Sequence, residues 1–180
     1  MNITKILFSW GVLAIAGLVQ AQQCNPNISA SLADNRFETL TGGYVRDLAT
    51  NLVWTRCFVG QTFDENNCTG NPTQLSLQEG LSQADSFLGL QETDWRLPNI
   101  KEAVSIMEFS CYYPAMNLTH FPTFDTTANP LIRDLLTSTP AYKTDTAAYI
   151  MTVKLGQGST RFNPAGNSIF YALFVRDYSE

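Results

Sequence analysis

The chain has 180 residues, with 11 basic and 16 acidic side chains, a formal net charge of −5 and a single histidine. It contains no basic run, which argues against nucleic acid as a partner and against broad electrostatic binding of anionic polymers. No segment after residue 21 is apolar enough to span a bilayer, so an integral membrane protein is not expected.

The first 21 residues read as an export leader rather than as part of the fold. Lys5 is the positive end, Ile6 to Val19 is an apolar run, and Val19-Gln20-Ala21 fits a small-residue cleavage rule with processing before Gln22. Cys24 invites lipid attachment at a new N-terminus, but Gln23 stands where that processing needs a small residue. The expectation is one secreted, periplasmic or cell-surface domain of residues 22–180, large enough for a real core. Without Lys5 its balance is ten basic against sixteen acidic residues, or −6.

Gln22 to Leu40 is polar and reads as an arm held by Cys24. Gly43 to Arg56 reads as a hairpin: Tyr44-Val45-Arg46-Asp47 leads into a turn around Ala49-Thr50-Asn51, and Leu52, Trp54 and Arg56 return on one face. An even number of cysteines in an exported chain implies two disulfides, for which three connectivities are open. Cys57 and Cys68 flank a short Gly-, Asn- and Thr-rich loop and form the natural local pair, which leaves Cys24 with Cys111. A zinc site is disfavoured, because cysteine ligands usually come in pairs with roughly two to four residues between them. No pair here is that close.

A first helix is predicted from Ser76, which makes a capping box with Glu79. Leu77, Leu81, Ala84 and Leu88 give its buried stripe and Gly89 its stop. The segment Asp94-Trp95-Arg96-Leu97-Pro98-Asn99-Ile100-Lys101-Glu102 is a strand-to-helix corner. Trp95 and Leu97 alternate as in a strand, Pro98 ends it, and Asn99 with Glu102 opens a second helix as N-cap and capping carboxylate. Ile100, Ala103, Val104 and Met107 form that helix's stripe; it fades at Ser110-Cys111 and Pro114 closes it.

From Tyr112 to Asp145 the pattern breaks down, punctuated by Pro114, Pro122, Pro130 and Pro140. A long irregular stretch rich in aromatics is expected to be ordered and functional, and a binding surface is placed here. Tyr149 to Leu155 then alternates as a strand, Ser159 to Phe162 returns, and Ile169 to Val175 alternates with both faces apolar, as a central strand would. Two helices between an early hairpin and a late meander give an α+β fold with small antiparallel sheets.

This order of motifs resembles the Lcl C-terminal domain family, named for the C-terminal domain of a bacterial collagen-like surface protein. The match spans roughly Arg36 to Arg176. It is carried by Gly43, Val45, Asp47, Thr50 and Trp54, by Arg56-Cys57 with Gly60 and Cys68, and most strongly by the corner from Asp94 to Glu102. Cys111-Tyr112, Pro114-Ala115-Met116-Asn117, Phe121-Pro122, Thr137-Ser138-Thr139-Pro140 and Val175-Arg176 complete it. Two positions depart from the family: Leu136 stands where Trp is common, and Asn51 where Gly is frequent. Asn tolerates the left-handed turn, so the hairpin should survive.

The resemblance implies a C-type lectin-like fold and a non-catalytic surface or periplasmic recognition module. Its first ligand class is a glycan, with a cell-surface protein next and a structural subunit of a surface assembly as the alternative. The namesake domain is associated with sulfated glycosaminoglycans, for which a −6 chain is a poor candidate; Lys101, Lys143, Lys154, Arg133 and Arg161 are scattered.

The acidic-Pro-Asn loop of calcium-dependent lectins is absent, since Leu97 stands at the acidic position. No cofactor is expected. Oxygen ligands for calcium would have to come from Asp125, Asn129, Asp134 or Asp145. Stacking candidates are Tyr113, Phe121, Phe124 and Tyr142, while Trp54 and Trp95 read as core. The candidate ligand-binding set is therefore Tyr113, Phe124, Asp125, Asn129, Arg133, Asp134, Tyr142, Lys143 and Asp145. His120 has no nucleophile elbow to serve, and Asp94 and Glu102 are explained by turn and cap, so no catalytic constellation is read.

Overall fold

A computed structural model describes residues 22–33, 35–123, 134–142, 147–166 and 168–179. The expected leader lies outside them. In chain order the elements are β1 (Gln23–Cys24), β2 (Phe37–Leu40), β3 (Tyr44–Asp47), β4 (Leu52–Thr55), β5 (Thr62–Asp64), β6 (Asn67–Thr69), α1 (Leu77–Asp85), α2 (Ile100–Ser105), β7 (Cys111–Tyr112), β8 (Asp134–Ala141), β9 (Tyr149–Lys154), β10 (Ser159–Pro164) and β11 (Val175–Asp177). Every strand pairing is antiparallel. One sheet runs β11-β4-β3-β2, a second β10-β9-β8, and β1-β7 and β5-β6 are two-stranded. The described residues are thus mixed, with two helices and small antiparallel sheets.

The β3–β4 hairpin forms where the sequence places it, with Val45 opposite Trp54 and Asp47 opposite Leu52. Its turn is built on Asp47. That carboxylate accepts from Ala49 N and Thr50 Oγ1 and receives Arg36 through two bonds of 2.8 and 2.6 Å. Asn51 takes the left-handed conformation at φ 58° and accepts from Arg46, so it replaces glycine with a side chain that is used. The arm, expected to be polar and held by Cys24, contributes more than a tether. Phe37–Leu40 is a strand on β3, and Leu32 and Phe37 are buried. With Leu40, which packs against the second core, three apolar side chains of the arm carry that packing, too few to leave a period in the sequence.

Both disulfides are present, Cys24–Cys111 joining β1 to β7 and Cys57–Cys68 closing the loop that holds β5 and β6. The first is seconded by Glu108, whose carboxylate accepts from Ser31 N, Leu32 N and Ser110 N.

Both helices start where predicted, each with its capping box, and both end early. α1 buries Gly80 and Ala84, while Leu81 and Leu88 are exposed. It lies so close to β8 that a Cβ on Gly80 would sit 2.5 Å from Leu136 Cδ2. Half of the predicted stripe is therefore packed, Ala84 buried and Leu77 against the core, and Gly80 beside them permits the close approach. Leu136 is fully buried in this contact, so the departure from Trp falls in the core. α2 stops at Ser105, and Ile106 and Met107 enter the core beyond it.

The corner between the helices is a hub. Trp95 is buried and donates to Gly89 O, Asp94 pairs with the buried Arg176 at 2.6 Å, and Arg96 pairs with Glu102 at 2.8 Å. Ser138 N donates to Pro98 O, and Ile100 N donates to Thr139 Oγ1. The Ser/Thr motif thus bolts β8 to the start of α2.

Two expectations are corrected in the second half. Asp134–Ala141, placed inside the irregular stretch, is the long strand β8, broken by a register shift between Leu136 and Pro140. The terminal strand expected over Ile169–Val175 is a ladder only at Val175–Asp177. Its alternation is real: Leu173 and Val175 enter one core, with Phe170, Ala172 and Phe174 entering the other. Its backbone bonds, however, go in turn to Leu75, Asp134, Leu136, Val59 and Thr55. The segment is threaded between the sheets instead of lying in one.

Candidate functional site

Of the nine residues of the expected binding face, the described residues hold Tyr113, Asp134 and Tyr142. Phe124, Asp125, Asn129, Arg133, Lys143 and Asp145 lie outside the described residues. Of the rest, Asp134 opens β8 and Tyr142 follows its end, so the length of the strand, about 25 Å at the usual rise per residue, separates them. Asp134 is 7% exposed, and its Oδ2 already accepts from Thr152 and Asn163, with Arg161 at 3.8 Å. Tyr142 is exposed and Tyr113 half-buried, the latter packed on Tyr112. Phe121 is fully buried.

The residues read as structural are structural. Trp54 and Trp95 are in the core, and Asp94 and Glu102 are spent on Arg176, Arg96 and the α2 cap. His120 stacks on Phe37 at 4.9 Å, and burial, aided by the Arg56 charge, pushes its pKa down. No nucleophile touches it among the described residues.

A cavity of about 520 Å³ opens elsewhere, between the β3–β4 hairpin, the disulfide-closed loop and the end of α1. Gly42, Gly43, Tyr44 and Thr55 form its back, Phe174 its base. Cys57 to Phe63 forms one side, and Gln83, Ser86 and Phe87 the other. Gly43 has φ 88°, and a Cβ there would lie 2.6 Å from the Cβ of Phe63, so only glycine lets the loop seat against the hairpin. Behind the wall an aromatic cluster holds it rigid: Tyr44 packs on Trp95 at 5.2 Å, and Phe87 meets Trp95 and Phe174 edge-on at 5.4 and 5.2 Å.

No lining residue carries a charged side chain. Phe63, Phe87 and Tyr44 offer apolar rings, and Gln83, Thr62 and the Tyr44 hydroxyl offer neutral donors and acceptors. Tyr44 is the one titratable group, and burial raises its pKa, which keeps it a neutral phenol. The lining suits an uncharged, ring-bearing ligand and lacks the paired groups of general acid–base chemistry. The sequence reading missed this site because its parts come from three separated segments. The traces that could have pointed to it are the paired glycines 42 and 43 and the aromatics Phe58 and Phe63 inside a small disulfide loop.

The described arginines are committed elsewhere. Arg36 pairs with Asp47, Arg46 with Glu38, Arg96 with Glu102, Arg161 with Asp134 and Arg176 with Asp94. Arg56 is buried, donates to the carbonyls of Thr119 and His120, and lies over the Phe63 ring.

No curated protein and no solved structure matches the chain. A family model described as the Lcl C-terminal domain matches residues 43–176, from the glycine at the back of the cavity to the arginine that anchors the corner. The chain belongs to the Lcl C-terminal domain family.

Proposed function

We propose that the chain is an exported, surface-associated recognition domain that binds an uncharged glycan in the cavity between α1 and the disulfide-closed loop, without calcium and without catalysis. The observation that carries this is the lining: rings for stacking on a sugar face, amides and hydroxyls for its hydroxyl groups, and no charged side chain. The family supports a surface-associated role. Two disulfides fit an oxidising compartment, and no helix among the described residues is long and apolar enough to cross a membrane. The two short helices packed on small antiparallel sheets support a C-type lectin-like reading of the fold.

The test is an array of neutral and sulfated glycans, probed with residues 22–180 in calcium and in chelator. The expected result is binding to neutral glycans that survives chelator and is lost in Phe87→Ala. Binding confined to sulfated glycans, or abolished by chelator, overturns the reading. A second role, subunit of a surface assembly, is favoured by β10. This six-residue strand is an edge of its sheet, and Phe162 on it is 58% exposed. It predicts concentration-dependent association in sedimentation and silence on the array.

A further inference from the structure

The loop that walls the cavity is rooted by the buried Phe58 and by Val59, whose N–H donates to Ala172 O, and beyond them its hairpin stands apart from both cores. β5 and β6 pair only with each other, and their residues are exposed except for the half-buried Phe63 and Cys68. Phe63 is the side chain the hairpin turns inward. It rests against Gly43 and under the Arg56 guanidinium, 4.6 Å from the ring centroid. The Gln61 side chain adds bonds to Phe58 N at 3.2 Å and to Gly70 O at 3.4 Å. The Cys57–Cys68 disulfide joins the two ends of the segment, and Cys57 itself lines the cavity.

We propose that the β5–β6 hairpin is a flap over the cavity, latched by the Cys57–Cys68 disulfide, so that a thiol reductant controls ligand access. This rests on the cavity being the ligand seat. The reductant is a dithiol. Its thiolate attacks Cys68 Sγ, the more accessible sulfur, and Cys57 Sγ leaves as a thiolate and takes up a proton. The second thiol of the reductant resolves the mixed disulfide. Each cysteine gains one hydrogen, and the reductant closes to its own disulfide.

The second disulfide is the internal control. Cys24–Cys111 fixes the N-terminal arm, which Gln22, Ser31 and Leu32 also hold through hydrogen bonds to Pro114 O and Glu108. Neither cysteine lines the cavity. Beyond Val59 the flap is tied to the rest of the molecule by Gln61, which donates to Thr123 O at 3.5 Å, and by the Arg56–Phe63 contact, so cutting its latch should free it locally.

Amide hydrogen exchange is measured on residues 22–180 as wild type, as Cys57→Ser/Cys68→Ser and as Cys24→Ser/Cys111→Ser, with neutral glycan-array binding on the same samples. The expected result is exchange at least tenfold faster across residues 61–70 and at Gly43–Tyr44 in the first variant alone, with Val59 and β9 unchanged. Wild type treated with dithiothreitol should show the same rise. Array binding should change at least fivefold between latched and unlatched forms. Unchanged exchange over the hairpin, a rise that spreads through β9, or equal array binding with and without the latch overturns the flap. Local opening with an array silent for every form supports the flap and overturns only the glycan reading.

Discussion

Glu108 shows how much one carboxylate can hold in this molecule. It is 6% exposed and accepts from Ser31 N at 2.9 Å, Leu32 N at 3.0 Å, Ser110 N at 2.8 Å and Ser110 Oγ at 2.6 Å. Burial works to raise its pKa. The bonds from Ser110, Ser31 and Leu32 together outweigh burial and bring it from 4.5 down to about 2. A carboxylate whose folded-state pKa is depressed stabilises the fold above its unfolded value, and that contribution is lost as pH falls through the folded value. Here it is on the order of 3 kcal/mol, present above pH 4.5 and gone below about pH 2. Asp47 and Glu102 are depressed as well and act in the same direction. Glu108→Gln should therefore cost about 1–3 kcal/mol at pH 7 and flatten, without abolishing, the acid side of the stability profile. Denaturant unfolding at pH 7, 4 and 2 measures this, and the two proteins should converge at pH 2. A parallel offset at all three pH values would mean that the charge of Glu108 is not what secures the arm.

At the level of elements, what the sequence made legible is what local chemistry decides. Ser76 with Glu79 and Asn99 with Glu102 are contiguous signals, and both helices begin there. The turn on Asp47 and the local cysteine pair were readable for the same reason. The face of α1 was readable only in half, because a periodic pattern names a stripe without weighing what the neighbour will accept. Of the predicted stripe Leu77 and Ala84 pack on the core while Leu81 and Leu88 are exposed, and Gly80, outside the stripe, comes so close to Leu136 that only glycine fits. The cavity was illegible because its lining is set by that packing and by where the disulfide loop comes to rest. The consequence for α1 is measurable. Leu81 is 48% exposed and Leu97, on the corner, is 1% exposed. Leu81→Ala should stay within about 0.5 kcal/mol of wild type, whereas Leu97→Ala should cost about 2–5 kcal/mol. Equal losses in thermal or denaturant unfolding would put Leu81 in a contact that the described residues do not make.

For the whole molecule, charge decides which ligands are admissible. Binding a polyanion from a chain of net charge −5 requires cations free to displace counterions. Five of the six described arginines have a carboxylate within 4 Å, and the sixth, Arg56, is buried against carbonyls. Freeing any of the five would break an ion pair, and the other described cations are the single lysines Lys101 on α2 and Lys154 on β9. The net field opposes the approach of an anion, and the cavity supplies no charged side chain to reverse it. A neutral sugar meets neither obstacle, because stacking and hydrogen bonding to hydroxyls are almost insensitive to ionic strength. Residues 22–180 should therefore pass unretained through a heparin column even at low salt, and the affinity for a neutral array hit should change less than about twofold between 50 and 500 mM salt. Retention on heparin that is released by salt would locate the binding surface in the lysines or in Arg133 and remove the cavity from consideration.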